Sequence, residues 1–92
     1  MNTEGEIMVA EKITIKSGLH MRPAKELCQV AAEYKCKVSI LTGNKETNAK
    51  SLLSVLGAGI KKGMDIEILC DGDDEEQALK RLINVLSVMK EY

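Results

Sequence analysis

Apolar and polar residues alternate along residues 7–15, and this period of two predicts a first β-strand. One face of this strand is apolar and carries Ile7, Val9, Ile13 and Ile15. Glu11 interrupts that face, which indicates either a bulge or an exposed rim of the sheet at this point. Ser17-Gly18 then ends the strand.

The period becomes helical from Met21 onward. Apolar side chains recur there at the three- and four-residue spacing of one helix face, at Ala24, Leu27, Cys28 and Ala31. Pro23 fits the first turn of a helix, because an N–H group there has no partner within the helix. We therefore expect a helix that begins at or just after His20 and runs to about Tyr34.

Two strands and a short helix are predicted next. Alternation at Cys36, Val38 and Ile40 predicts the second strand, and a turn at residues 42–45 leads to a short polar strand at residues 46–48. Ser51 is a good N-cap for a helix that contains Leu52, Leu53, Val55 and Leu56. Gly57 and Gly59 are expected to end that helix.

The last third of the chain predicts one strand and one helix. The strand has an apolar face formed by Met64, Ile66, Ile68 and Cys70. Acidic residues at 73–76 suit a helix N-terminus, and Asp74 with Gln77 resembles a capping box. The apolar face of this last helix carries Ala78, Leu79, Leu82, Ile83, Leu86 and Met89.

The predicted order of elements is therefore βαββαβα. This order favours an α+β open-faced sandwich, in which helices pack on one face of a four-stranded antiparallel sheet. At 92 residues, we expect the whole chain (1–92) to form one domain. The chain has no Trp and no Phe, so aliphatic side chains must fill the core. A core this small leaves little room for a deep pocket, and we expect a functional site on the surface.

Charge and cysteine content narrow the function classes. The formal net charge of −1 disfavours a nucleic-acid binder. The chain has no apolar run long enough to cross a membrane and no visible signal peptide, so we expect a cytoplasmic protein. Three cysteines without a C-x-x-C pattern are expected to be buried apolar residues and not metal ligands, so no metal site is predicted.

Candidate chemistry centres on the segment GLHMRPA at residues 18–24. His20 precedes the predicted helix, where unpaired backbone N–H groups and the helix dipole favour an anion. Neutral imidazole is a nucleophile near pH 7, and Arg22 can neutralise an incoming phosphate. A histidine and an arginine in an ordinary surface turn would show the same residues. The local pattern therefore permits a phosphohistidine without requiring one.

Two segments resemble one known family. GLHMRPA resembles the active-site motif of the HPr family, the histidine-containing phosphocarrier proteins of the bacterial sugar phosphotransferase system. The segment KSLLSVLGAGIKKG, at residues 50–63, is similar to the family's regulatory-serine segment. Their separation, the chain length and the order of elements also match the family. The chain is therefore identified as a member of the HPr family.

The resemblance implies a phosphocarrier and not an enzyme. His20 would accept a phosphoryl group on Nδ1 from phosphorylated Enzyme I and pass it to the A domains of sugar-specific permeases. Arg22 matches the family's active-site arginine, Pro23 the proline that fixes the helix start, and Ser17 a small polar residue near the phosphate. The carrier would need no cofactor of its own, since Enzyme I uses the phosphoenolpyruvate and Mg²⁺. A carrier that serves several partners is expected to be a monomer.

The resemblance also implies regulation at Ser51, which is compatible with its N-cap role. Ser51 matches the serine that HPr kinase/phosphorylase modifies, and an exposed apolar patch of Met21, Leu52, Leu53 and Leu56 would dock onto partners, with Leu52 and Leu53 the more exposed. The alternative function is a regulatory module that acts as corepressor for a catabolite-control transcription factor. The presence of His20 argues against that as the sole role. An unrelated metabolite-binding or metal-binding domain has weaker support from a chain with a single histidine.

Overall fold

A computed structural model describes residues 9–16 and 18–88 of the chain. Ile7, Ser17 and Met89, which the sequence analysis assigned to elements or to the site, lie outside the described residues. The predicted order is confirmed, with β1 at Val9–Thr14, α1 at Met21–Ala32, β2 at Lys37–Thr42, β3 at Lys45–Asn48, α2 at Leu52–Gly57, β4 at Asp65–Asp71 and α3 at Glu75–Val88. None of these helices combines the length and the hydropathy that a membrane span requires.

The four strands form one antiparallel sheet in the order β1-β4-β2-β3. The pairing of β1 with β4 runs without interruption from Val9–Cys70 to Thr14–Asp65. Glu11 therefore causes no bulge. It lies on an edge strand and its side chain is exposed, so the second interpretation, an exposed rim of the sheet, is the correct one.

Aliphatic side chains fill the space between the sheet and the helices, as the absence of Trp and Phe requires. The sheet contributes alternate residues, and the helices contribute one stripe each; the buried set includes Val38, Ile40, Ile66, Ile68, Ala24, Leu27, Ala31, Ala78, Leu82 and Leu86. Full burial of one large aliphatic side chain contributes about 1.5–3 kcal/mol. The free energy by which the core stabilises the fold is thus spread over many side chains, each with a similar contribution.

The three cysteines are free and buried, as the sequence predicted. Burial raises the pKa of the Cys28 and Cys36 thiols, and it raises the pKa of Cys70 to about 12. At neutral pH these side chains are therefore protonated thiols, which pack as small apolar groups.

Asp74 does not form the predicted capping box with Gln77. Its Oδ2 accepts a hydrogen bond from the backbone N–H of Lys35 at 2.8 Å, and its Oδ1 accepts one from the N–H of Cys36 at 2.9 Å. The Asp74 carboxylate therefore binds the loop that precedes β2. This contact joins residues that are far apart in sequence, so the residues around Asp74 do not predict it. Glu75 instead accepts from the N–H of Gly72 at 3.1 Å, which closes the turn before α3.

Gly72 is closely packed against the start of β2. A Cβ at this position would lie 2.7 Å from both Cα and Cβ of Cys36. We predict that Gly72→Ala lowers the free energy of unfolding by about 2–3 kcal/mol, because the backbone of Cys36 cannot move away without disturbing the core. Chemical denaturation of the variant measures this loss.

The matched control is Gly57→Ala, because a Cβ at Gly57 meets nothing within 4 Å. This variant gains helix propensity and should be as stable as the original chain, or more stable by up to about 1 kcal/mol. Equal stability of the two alanine variants would contradict the packing argument.

Asp74 also predicts a dependence of stability on pH. The hydrogen bond from the Lys35 N–H, together with those from Cys36, holds the pKa of this carboxyl below its usual value. Because the folded pKa is the lower one, the stabilisation is fully present above the unfolded pKa of about 3.9 and is lost as pH falls through the folded pKa. Asp74→Asn should therefore lower the Tm at pH 7, and the difference from the original chain should shrink towards pH 2.

Asp73→Asn is the control, since it removes an exposed neighbouring carboxylate. The Tm of the original chain and of both variants, measured across pH 2–7, separates the loss of the hydrogen-bonded Asp74 carboxylate from the general effect of removing one negative charge. A Tm difference for Asp74→Asn that stays constant over this range would show that its charge is not involved.

Candidate functional site

His20 lies at the N-cap of α1 with its imidazole exposed to solvent. Its backbone is extended, and its carbonyl accepts the first helical hydrogen bond, from the Ala24 N–H at 2.9 Å. Its side chain makes no capping hydrogen bond. Pro23 is buried in the first turn, as predicted, and fixes the direction in which the helix leaves His20. The imidazole is thus held at a helix start and is not used to build the helix.

Main-chain hydrogen bonds fix the segment that leads to His20. Leu19 donates its N–H to the carbonyl of Ile60 at 2.9 Å. Ile15 donates to Met64 and accepts from Gly63, both at 2.8 Å. The segment between β1 and α1 therefore rests on the segment between α2 and β4, and the two together set the position of His20.

A shallow groove of about 470 Å³ lies beside the imidazole. It is lined by Gly18, Leu19, His20, Met21, Leu56, Gly59, Ile60, Lys61 and Lys62. The sequence analysis expected a site on the surface, and this groove is open to solvent beside His20. Its two lysines, Lys61 and Lys62, were not among the predicted site residues. We name this feature the His20 groove.

Arg22 is exposed on the first turn of α1, two residues after His20. Its side chain lines a neighbouring depression with Lys25, Glu26 and Gln29, and it does not line the His20 groove. The guanidinium and the imidazole thus border two different surface depressions that both lie at the first turn of α1.

Ser51 caps α2, as the sequence predicted. Its Oγ accepts a hydrogen bond from the Ser54 N–H at 3.2 Å, and its own N–H donates to the Asn48 carbonyl at 3.1 Å. The neighbouring Lys50 donates from Nζ to the Tyr34 carbonyl at 2.7 Å, just beyond the end of α1. The helix ends at Gly57, as predicted, and Gly59, at φ +67°, makes the turn out of it.

The predicted docking residues differ in exposure. Leu53 is 82% exposed and Met21 is 56% exposed. Exposed patches of large apolar side chains are typical of surfaces that bind a partner. Leu52 and Leu56 are half-buried and pack against the core. The expectation that Leu52 and Leu53 are the more exposed residues is confirmed for Leu53 and wrong for Leu52, which packs against the core as Leu56 does. Met21 and Leu56 both line the His20 groove.

Among residues 9–16 and 18–88, no group of three or more His, Cys, Asp or Glu side chains could hold a metal ion. The groups that lie around the His20 imidazole are the lysines of the His20 groove and the backbone N–H groups at the start of α1.

Comparison with known proteins identifies this arrangement. A sequence profile described as the PTS HPr component phosphorylation site matches residues 9–87. The chain belongs to the HPr family. HPr is a phosphocarrier of the phosphotransferase system and not an enzyme, so the family carries a phosphoryl group between other proteins.

Individual HPr relatives agree with the profile. Phosphocarrier protein HPr of Mycoplasma capricolum is 39% identical over 70 residues, which are 76% of this chain and 79% of that protein. The crystal structure of HPr from Bacillus anthracis superposes with a TM-score of 0.82 at 31% identity, over 86% of this chain and 96% of the other. Crh, the catabolite repression HPr of Bacillus subtilis, has a TM-score of 0.68 at 26% identity, over 89% and 100% of the two chains.

Proposed function

We propose that His20 is the residue of this phosphocarrier that accepts and donates the phosphoryl group. The observation that carries the proposal is the exposed imidazole at the N-cap of α1, which takes no part in capping the helix. A histidine with only a structural role at this position would be expected to use its ring as a cap or to bury it.

The transfer can be written with atoms and electrons balanced. A ring nitrogen of neutral His20, Nδ1 as in the family, attacks the phosphorus atom with its lone pair and forms a new N–P bond. The N–P bond of the phosphohistidine on Enzyme I breaks, and its electron pair returns to the histidine nitrogen of Enzyme I. In the second step His20 is the leaving group, and an A domain of a permease is the acceptor. The carrier itself supplies positioning and charge stabilisation.

Positive charge near His20 supports this chemistry. The N–H groups of the first turn have no acceptor within the helix, and the N-terminus of α1 carries the positive end of its dipole. Arg22 is two residues away on an exposed face and can reach a phosphoryl group by changing rotamer. In this proposal the carrier acts in the cytoplasm as a monomer, and it docks through Met21, Leu53 and Leu56, with Leu52 as support from beneath.

Phosphorylation of His20 is tested by mixing the chain with a bacterial Enzyme I, Mg²⁺ and phosphoenolpyruvate. We expect one added phosphate by intact mass, complete loss of it in mild acid as for an N–P bond, and no phosphate on His20→Ala. Arg22→Gln should retain the acceptor nitrogen but accept phosphate about 10–1,000-fold more slowly, because a charge-stabilising donor is lost.

Ser51→Ala is the control for a phosphoester, since it removes the other candidate acceptor and leaves His20 intact. It should gain the same acid-labile phosphate as the original chain. An acid-stable phosphate, or phosphate that persists on His20→Ala, would refute the assignment of His20.

Regulation at Ser51 is a second proposed function. It is supported by the hydroxyl of Ser51, which lies at the N-terminus of α2 and accepts a hydrogen bond from the Ser54 N–H. The relative Crh is named for catabolite repression. A phosphate at a helix N-terminus is tolerated, so phosphorylation by an HPr kinase/phosphorylase would leave the fold intact and change the charge of the docking surface. Such a phosphoprotein is suited to bind a catabolite-control transcription factor.

Ser51→Asp should slow phosphorylation of His20 by Enzyme I several-fold, because it adds negative charge to a surface on which a partner docks. The matched control is Ser51→Asn, since asparagine caps a helix as well as aspartate and adds no charge. Initial rates with Enzyme I, measured by intact mass, compare the two variants. Equal rates for Asp and Asn would exclude a charge effect at this position.

A further inference from the structure

The ionisable side chains that line the His20 groove are His20 and two lysines, Lys61 and Lys62. The chain as a whole carries a formal net charge of −1, whereas the side chains that line this groove carry a net positive charge from the two lysines. Carboxylates are concentrated elsewhere, around the start of α3, at Asp71, Asp73, Asp74, Glu75 and Glu76. The molecule therefore presents a cationic rim beside its acceptor histidine.

The backbone of Lys61 is fixed relative to His20. The Lys61 N–H donates to Sδ of Met64 at 3.1 Å, and the Lys61 carbonyl accepts from the Met64 N–H at 3.1 Å. The preceding residue, Ile60, accepts the hydrogen bond from Leu19, which immediately precedes His20. Lys61 and His20 are thus separated by one main-chain hydrogen bond and the two residues that it joins.

The side chain of Lys61 has no structural task that would explain its position. It is exposed, and no carboxylate among residues 9–16 and 18–88 forms an ion pair with it. An exposed unpaired lysine contributes little to stability. A charge at the rim of a binding surface, in contrast, acts on the rate of encounter and on the choice of partner.

We propose that Lys61 is a specificity-determining residue, which favours phosphoryl-transfer partners that carry carboxylates around their reactive histidine. The inference rests on the proposed function of His20 and adds a contact to it. Lys61 steers the partner surface and takes no part in the transfer of the phosphoryl group itself. Its removal should therefore raise KM for the carrier and leave kcat unchanged.

The test measures initial rates of phosphorylation by a bacterial Enzyme I, with phosphoenolpyruvate and Mg²⁺, over a range of carrier concentrations. At about 10 mM salt, where charges act over about 30 Å, Lys61→Gln should raise KM about two- to five-fold. Lys61→Glu should raise it further, and Lys61→Arg should behave as the original chain. At about 1 M salt, where charges act over about 3 Å, the KM values should converge.

Lys80→Gln is the matched control, because it removes the same charge from an exposed position on α3. The next residue, Arg81, pairs with Glu33 at the far end of α1, 3.0 Å from NH1 to Oε1. Since α1 has 12 residues, this end lies about 18 Å from His20. At about 0.1 M salt, where charges act over about 10 Å, Lys80→Gln should leave KM within about 1.5-fold of the original chain, while Lys61→Gln should still raise it.

The outcomes separate the two proposals. An equal KM for Lys61→Gln and the original chain, or an equal rise for Lys61→Gln and Lys80→Gln, would overturn the role of Lys61 and leave that of His20 intact. A lowered kcat with unchanged KM would also overturn it. Failure of Enzyme I to phosphorylate the original chain would overturn the function of His20, and the role of Lys61 with it.

Discussion

Three main-chain hydrogen bonds join the segment before α1 to the segment after α2, and the site depends on them. They connect Leu19 to Ile60 and Ile15 to both Gly63 and Met64. The side chains of Ile15 and Leu19 are also buried in the core, so the segment that leads to His20 is held by both its main chain and its side chains. With them, the start of α1 is fixed against a turn from a distant part of the chain. The position of the imidazole is thus set by backbone geometry, while its side chain stays available to a partner.

The same arrangement explains why the site is on the surface. An aliphatic core of this size is filled by the residues that hold the sheet to the helices, and it has no large side chain to shape a cavity. In the proposed function the phosphoryl group is held at an edge of the fold, where the start of α1 supplies N–H groups and the exposed Lys61, Lys62 and Arg22 supply positive charge. Such an edge can hold a phosphoryl group but needs a second protein to complete the enclosure around it.

Local signals in the sequence predicted much of the fold. The period of apolar residues located β1, α1, β2, β4 and α3, and Ser51 was identified as an N-cap because capping depends on residues close in sequence. Contacts between distant residues were not predictable in this way. Asp74 carried a valid capping pattern, yet it binds the N–H groups of Lys35 and Cys36. Lys61 was not predicted as a site residue, because nothing near it in sequence indicates that it lines the same groove as His20.

The anchoring of Leu19 on Ile60 uses no side-chain atom of either residue or of their exposed neighbours. Met21 and Lys61 are exposed and are proposed partner contacts, so their substitution is expected to change partner recognition without loosening the segment that holds His20. At these two positions, a substitution is expected to alter affinity for a partner without lowering the stability of the fold. In a carrier with this architecture, single surface substitutions are expected to change the choice of partner protein while the position of His20 stays the same.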